Sequence, residues 1–333
     1  MKKFTFKRQL LFVMLMLLGC LSIQAADDGL ITNQVVINLD EPGTLPQKIS
    51  ASDKYLITNL KVKGDINGTD LGFLREMAGQ SINGEDETNG KLSTLDLSDT
   101  KIVGGGEPYF NYGGYETYFT EYNKIGKYAF CSCNNLKRLT LPKDITSIEQ
   151  SAFFGCSGLT SITIPSSVTA IGKWSFVLCS NLANVTLSSN ITSIGSSAFQ
   201  DCSSLKNLTI SKEVTSIKDI ALNNSYNWLE LESVYVAWEN PIEAGSFFNR
   251  IKISNCTLYV PQGTKEAYAN ADVWKDFGNI IEYDATGIDK VINRSDVKEI
   301  SRYSLNGQRV TSPTKGVNIV VYSDGSIKKV AVQ

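Results

Sequence analysis

Histidine is absent from this 333-residue chain, which narrows the chemistry open to the other side chains. Without imidazole there is no Ser-His-Asp or Cys-His nucleophile arrangement, no histidine-ligated zinc site and no histidine pH switch. Two carboxylates suffice for glycoside hydrolysis, but acids such as Glu230 and Glu232 have no spacing that places two of them across a cleft. We therefore predict a protein that is not an enzyme, with no catalytic residues and no cofactor. A carbohydrate-processing enzyme is the most distant alternative.

Cysteines recur at a spacing of 23 residues, at Cys133, Cys156, Cys179 and Cys202. That spacing fits no zinc motif, and the sequence contains no C-x-x-C pair, so we predict no metal site. Inward side chains on neighbouring parallel coils also have the wrong torsion for a disulfide. We expect free thiols that fill the core as small apolar groups.

Seven aromatic residues crowd a short glycine-containing segment, which we expect to be a loop: Tyr109, Phe110, Tyr112, Tyr115, Tyr118, Phe119 and Tyr122. Tyrosine offers a large contact area at a low entropy cost, which suits recognition of a protein or a glycan. The candidate ligand-binding residues are Tyr112, Tyr115 and Tyr118, with Arg138 contributing from the flanking strand surface. The alternative is that the rings fold down and seal the first coil.

The elements that position these residues follow from a repeat. Seven apolar positions recur every 23 residues, among them the isoleucines Ile125, Ile148, Ile171, Ile194 and Ile217, each followed five residues later by Phe130, Phe153, Phe176, Phe199 and then Leu222. Leu136, Leu139 and Leu141 match the L-x-x-L-x-L core of leucine-rich repeats. The predicted fold is a β-rich leucine-rich repeat solenoid with few helices (α/β minor), over residues 125–283 including its terminal cap, in which stacked coils bury a continuous column.

Threonines occupy one strand position in four coils, Thr140, Thr163, Thr186 and Thr209, and we expect them to face outward. In one interpretation they are β-branched residues that suit an exposed strand. In the other they line a ligand-binding sheet.

Both ends of the solenoid need caps. Residues 26–124 form the predicted N-terminal cap, with strands at 55–62 and 92–97 and a helix over 70–78 that begins with Asp70 as its N-cap. A strand at 257–260 and a helix over 264–274 are expected at the other end. Residues 287–333 read as a small all-β module after a linker at 284–287, because Asn306-Gly307 and Asp324-Gly325 are hairpin turn dipeptides.

The first 25 residues have the order of a secretory signal peptide: a basic start, an apolar run and small residues, with cleavage expected after Ala25. An alternative is a lipobox, in which Cys20 would be lipidated and hold the protein at an outer membrane. Removing residues 1–25 leaves 28 basic and 34 acidic groups, a net charge of −6. A chain with this negative net charge has no electrostatic attraction for nucleic acid, so we expect no nucleic-acid partner. We expect a membrane partner only if Cys20 is lipidated.

The unit over residues 148–170, IGxxAFxxCxxLxxLxLPxxVTS in general form, resembles the BspA-like leucine-rich repeats of bacterial surface proteins. Residues 64–70 and 258–264 are similar to stretches of secreted Bacteroidetes members. Residues 303–310 and 316–320 resemble the C-terminal sorting tails of type IX secretion cargo, departing from that pattern at Asn318 and at the very end. The resemblance implies surface exposure and adhesion, often to host matrix proteins or to other bacteria.

Together these features predict an exported cell-surface or extracellular protein that binds host or microbial macromolecules. A structural surface scaffold without a dedicated ligand is the principal alternative.

Overall fold

The structure, a computed structural model, describes residues 29–84, 86–188, 190–217, 222 and 229–283, then 299–304, 309–310, 312, 316–322 and 327–332. The predicted signal peptide, Cys20 and residues 284–287 lie outside the described residues. The chain divides into two compact units, one that ends at Glu282 and one that begins at Tyr283.

Short strands dominate the chain up to Tyr283. They are β1 (Val35–Asn38), β2 (Asn59–Ile66), β3 (Thr94–Ile102), β4 (Gly105–Tyr112), β5 (Glu116–Thr120), β6 (Lys124–Ile125), β7 (Arg138–Thr140), β8 (Ser147–Ile148), β9 (Ser161–Thr163), β10 (Ala170–Ile171), β11 (Asn184–Thr186), β12 (Ser193–Ile194), β13 (Asn207–Ile210), β14 (Ser216–Ile217), β15 (Ser233–Val236), β16 (Thr257–Pro261) and β17 (Asn279–Tyr283). The helices are α1 (Leu45–Lys48), α2 (Gly68–Met77) and α3 (Lys265–Asn270), with 3-10 turns at Ile253–Asn255 and Trp274–Asp276.

Two open sheets run along the solenoid. The larger has the order β1-β2-β3-β7-β9-β11-β13-β15-β16-β17, and its described pairs are parallel, in steps of one repeat such as Leu139↔Ile162. The smaller has the order β14-β12-β10-β8-β6. In β7, Leu139 is buried between exposed Arg138 and Thr140, so alternation points one face of each strand inward. The leucine-rich repeat solenoid is confirmed.

A column of stacked rings fills the core. Phe176 is fully buried, with ring centroids 5.0 Å from Phe153 and 5.3 Å from Phe199, as the repeat predicts. The cysteines line the same column, and their thiols donate to phenylalanine carbonyls of the preceding coil: Cys156 to Phe130 at 2.9 Å, Cys179 to Phe153 at 3.2 Å and Cys202 to Phe176 at 3.2 Å. The thiols therefore satisfy buried carbonyls as well as filling space. The six cysteines in the described part of the chain are free.

Each coil turns through residues with left-handed backbone. Three positions after the isoleucine of the smaller sheet lie Tyr128, Ser151, Trp174 and Ser197, with φ from 55° to 60°. We call these four residues the turn row. Four positions further on lie Ser132, Gly155, Leu178 and Asp201, also with positive φ. Only glycine adopts this conformation freely, and other residues lose roughly 1–2 kcal/mol, so the backbone favours glycine at both positions.

The N-terminal cap differs from its prediction in detail. Helix α2 begins after Asn67, which is the N-cap, so the prediction that Asp70 is the N-cap is wrong. Asp70 instead completes a capping box, and its buried carboxylate accepts from the backbone N–H groups of Gly43 at 2.6 Å, Leu45 at 2.9 Å and Asn67 at 3.0 Å. That single side chain joins α1 to α2. The expected strand at 55–62 begins later, at Asn59.

The other end of the solenoid is closed by aromatic rings. Helix α3 stops at Asn270, four residues before the predicted end, and Val273 then has a φ of 71° that no helix accommodates. The Trp274 ring packs against Tyr268, Phe248 and Trp238 at 5.4–5.9 Å. This cluster covers the last coil and keeps its apolar face from water.

In the second unit the strands are β18 (Glu299–Ser304), β19 (Arg309–Val310), β20 (Gly316–Tyr322) and β21 (Ile327–Val332). They form one sheet in the order β19-β18-β20-β21, and all described pairs are antiparallel. The small all-β module is therefore present. The two turn dipeptides themselves lie outside the described residues.

Candidate functional site

The aromatic segment is a β-hairpin and not a loop, which corrects the sequence prediction. Strands β4 and β5 pair antiparallel, with Phe110 opposite Tyr118 and Tyr112 opposite Glu116. Gly113 and Gly114 make the turn with φ of 54° and 77°, a conformation that favours glycine. The rings are thus presented on a paired ribbon.

A buried arginine fixes the base of this hairpin. Arg75 of α2 is fully buried, and its guanidinium donates to the carbonyls of Tyr128 at 2.8 Å, Ala129 at 3.1 Å and Ser81 at 3.2 Å. The same guanidinium lies 4.6 Å from the centroid of the Phe110 ring. One side chain therefore connects the cap helix, the first coil and the hairpin.

Three rings of the hairpin contact Tyr128 of the turn row. Phe110, Tyr112 and Tyr118 lie 5.3, 6.0 and 5.2 Å from its ring. Tyr109 is also buried, and its hydroxyl donates to the Lys127 carbonyl at 2.8 Å. Part of the aromatic segment therefore seals the first coil, as the second interpretation of the sequence holds.

The outer rings remain open to solvent. Tyr112, Tyr115, Phe119 and Tyr122 are 58%, 90%, 51% and 71% exposed. Of the three tyrosines chosen from the sequence, Tyr112 and Tyr115 thus lie on the open surface. Tyr118 is half-buried and its hydroxyl donates to Glu116; desolvation, with that hydrogen bond second, raises the pKa of Tyr118. Tyr118 is therefore held in the packed layer.

Two exposed rings, Phe119 and Tyr122, were not among the candidate residues. The alternation of β5 carries the signal that would have found Phe119, because neighbours on a strand point to opposite faces and Tyr118 faces inward. A loop assignment hides that alternation.

Arg138 lies elsewhere. It is exposed on β7 of the ten-stranded sheet, and no hydrogen bond, ion pair or ring contact in the described part of the chain joins it to the hairpin. The structure therefore places Arg138 apart from the three predicted tyrosines, which all belong to the hairpin.

The threonine row is only partly exposed. Thr140 and Thr163 face outward, but Thr209 is 6% exposed, so its predicted exposure is wrong. Thr209 pairs with Tyr235 of the next strand, where a ring replaces the threonine of the regular coils. The side chain of Thr186 lies outside what the structure describes.

The thiols of the core are poor nucleophiles. Burial raises the pKa of Cys133 to about 12 and the pKa values of Cys156 and Cys179 well above the ordinary 9.0. These thiols stay protonated at neutral pH, which the hydrogen bonds that Cys156 and Cys179 donate to carbonyls require. Among the described residues, no group of three or more His, Cys, Asp or Glu side chains is placed to hold a metal ion. Within the same part of the chain, no helix has the length and apolar character to cross a membrane.

Comparison with known proteins identifies the repeats. Residues 123–254 match the family model of the BspA type leucine rich repeat region, in six copies. These residues are similar to BspA-type leucine-rich repeats. The match is to a repeat region and not to an enzyme. No curated protein matches the sequence.

Several solved structures share similarity with the chain. A T. pallidum leucine-rich repeat protein is 24% identical over 46% of this chain and 74% of its own, with a TM-score of 0.36. The pneumococcal vaccine antigen PcpA is 16% identical over 75% of this chain and 67% of its own, with a TM-score of 0.41. A leucine-rich repeat protein from Bacteroides ovatus is 16% identical over 75% and 69%, with a TM-score of 0.36. Likenesses at this level say nothing about what the chain binds.

Proposed function

We propose that this is an exported cell-surface or extracellular protein that binds a host or microbial macromolecule, a protein or a glycan, through the aromatic hairpin. The observation that carries the proposal is that the rings of Tyr112, Tyr115, Phe119 and Tyr122 are exposed to solvent on one short ribbon and directly after its end. A group of large exposed apolar side chains on one short segment commonly marks an interaction site. The hairpin is therefore the surface with the strongest chemical reason to be covered by a partner.

The energetics favour recognition. Aromatic side chains bury about 150–250 Å² each, and an interface anchor of this type contributes about 2 kcal/mol or more. Arg75 and the Tyr128 stack hold the hairpin before a partner arrives. Little ordering entropy is then lost on binding, which preserves more of the contact energy.

The test is an array of glycans and matrix proteins probed with the mature protein. The variant Tyr115→Ser/Phe119→Ser/Tyr122→Ser removes three outer rings, none of which has a described ring contact. It should lose binding and keep the melting temperature. Arg138→Ser on the ten-stranded sheet is the matched surface control and should keep both.

Two other outcomes are informative. If the triple variant binds as well as the parent, the hairpin is not the site and the strand surface around Arg138 becomes the candidate. If the parent binds nothing at micromolar concentration, the scaffold alternative replaces the proposal. The variant Tyr112→Ser/Tyr115→Ser/Tyr118→Ser is a less selective probe, because Tyr118 also packs on Tyr128.

Export is part of the proposal. It is supported by the signal-like order of residues 1–25 and by the resemblance of the C-terminal segment to type IX sorting tails. Cleavage after Ala25 predicts a mature chain that begins at Ala26. Lipidation would instead leave Cys20 as the first residue, with added acyl mass. Intact-mass analysis of the exported protein distinguishes these two cases, and finding the uncleaved chain in the cytoplasm would contradict both.

A further inference from the structure

The two strands of the aromatic hairpin have very different outer edges. Strands β4 and β5 form a two-stranded sheet, so each has one edge outside their shared ladder. The outer edge of β4 is used within the cap, where the Asn111 N–H donates to the Ile82 carbonyl at 2.7 Å. The Glu107 N–H of the same strand donates to the Thr69 hydroxyl at 2.9 Å. Among the described residues, no backbone hydrogen bond of this kind covers the outer edge of β5.

The main chain of Thr117 points to this open edge. Asn111 lies opposite Thr117 in the hairpin, and its N–H is already bonded to Ile82. Residues directly opposite in an antiparallel pair either exchange both hydrogen bonds or direct their backbone groups away from each other. Asn111 and Thr117 therefore form a pair of the second kind. The N–H and C=O of Thr117 point away from β4, and within the described part of the chain neither group has a hydrogen-bond partner.

The side chains of β5 permit another strand to pair there. Thr117 is exposed, and Phe119, which shares its face by alternation, is 51% exposed. The strand contains no proline and no lysine, the residues that commonly protect an edge strand from pairing with another chain. Its one charged side chain, Glu116, accepts from the Tyr118 hydroxyl. An added strand would place its own side chains opposite Thr117 and Phe119, where aromatic and β-branched residues pair favourably.

A polypeptide is the class of ligand that matches such an edge. An extended peptide adds to an open strand through main-chain hydrogen bonds, and its alternate side chains supply specificity. A glycan has no regular series of backbone N–H and C=O groups to offer. The edge is also held in place before binding, because Tyr118 packs on Tyr128 and Arg75 donates to the Tyr128 carbonyl.

We propose that β5 binds an extended segment of a partner protein as a third strand of the hairpin. The segment forms main-chain hydrogen bonds with Thr117 and packs a side chain on Phe119. This inference rests on the proposed function and assigns the partner as a protein strand and not a glycan.

The test uses the mature full chain and short overlapping synthetic peptides that tile the matrix proteins of the array. Thr117→Pro removes the outward N–H and keeps the ladder bonds of the hairpin, because an edge strand tolerates proline where the N–H faces solvent. We expect this variant to keep its melting temperature and to bind the peptides at least about tenfold more weakly. Thr117→Ala, which retains the N–H, is the matched control and should bind like the parent.

Modified peptides give a second measurement that does not depend on the folding of a variant. The N–H groups of every second residue in an antiparallel strand point to the same edge. N-methylation of alternate residues in a bound peptide should therefore abolish binding in one phase and preserve it in the other. If Thr117→Pro melts early, this comparison replaces it.

The outcomes separate this inference from the proposed function. An unchanged affinity in a folded Thr117→Pro variant overturns the inference, and so does equal binding of the two N-methylated forms. If the parent binds glycans but no peptide, and the outer-ring triple variant loses those glycans, the inference fails and the proposed function stands. If the parent binds neither the array nor the peptides, both fail.

Discussion

Replacing Phe176 with alanine removes the central ring of the core column. The ring is fully buried and stacks on both neighbours, at 5.0 and 5.3 Å with interplanar angles of 11° and 7°. A buried Phe→Ala truncation costs about 3–5 kcal/mol. The two ring contacts, which stabilise a pair beyond its buried area, place Phe176 in the upper part of that range. We therefore expect a loss of about 4–5 kcal/mol in the free energy of unfolding.

Urea unfolding followed by circular dichroism measures this loss. Because stability in a solenoid is transmitted from each coil to the next, a gap in the middle should also lower the m-value as the two halves uncouple. Phe176→Leu, which keeps most of the volume, should lose much less and retain the m-value. An unchanged midpoint in Phe176→Ala would refute the stacked column.

Three further predictions concern buried polar groups. The core thiols have higher pKa values in the folded than in the unfolded chain, so the unfolded chain loses their protons at a lower pH. The free energy of unfolding should therefore fall as pH rises above 9.0, by about 1.4 kcal/mol per pH unit for each thiol. In reductant, Cys179→Ala should flatten that slope by one proton, and alkylation of the parent should require unfolding. Arg75→Met leaves three carbonyls unpaired and should lower the free energy of unfolding by about 3 kcal/mol. The hairpin should also become sensitive to limited proteolysis, and a hairpin that stays resistant would contradict the anchoring role of Arg75. Asp70→Ala leaves three backbone N–H groups without their acceptor and should lower the free energy of unfolding, measured in urea, by about 3 kcal/mol. Asp70→Asn keeps one acceptor oxygen and should lose less, and an unchanged stability in Asp70→Ala would contradict the role of this carboxylate.

The repeat made the solenoid predictable, because a 23-residue period forces equivalent apolar side chains into one column. Helix caps and turn conformations were harder to predict from the sequence. Asn67 and Asp70 are both good capping residues, and only the contacts of Asp70 with α1 show which role each takes. The left-handed backbone at Trp174 follows from hydrogen bonds between coils, which no local pattern in the sequence encodes.

The candidate site was predictable in composition but not in geometry. The concentration of tyrosine indicated a contact surface, whereas the division into packed and open rings depends on Tyr128 and Arg75, which reach the hairpin from other elements. The sequence prediction groups Arg138 with the tyrosines as part of the flanking strand surface, yet Arg138 belongs to another sheet.

Oxidative footprinting of the mature protein tests the hairpin most directly, with and without a ligand selected from the array. It reads the reactivity of each aromatic side chain separately. Burial under a partner should protect Tyr115, Phe119 and Tyr122 while the region around Arg138 keeps its reactivity. Protection around Arg138 with the three rings still fully reactive would contradict the proposed function and move the binding surface to the ten-stranded sheet.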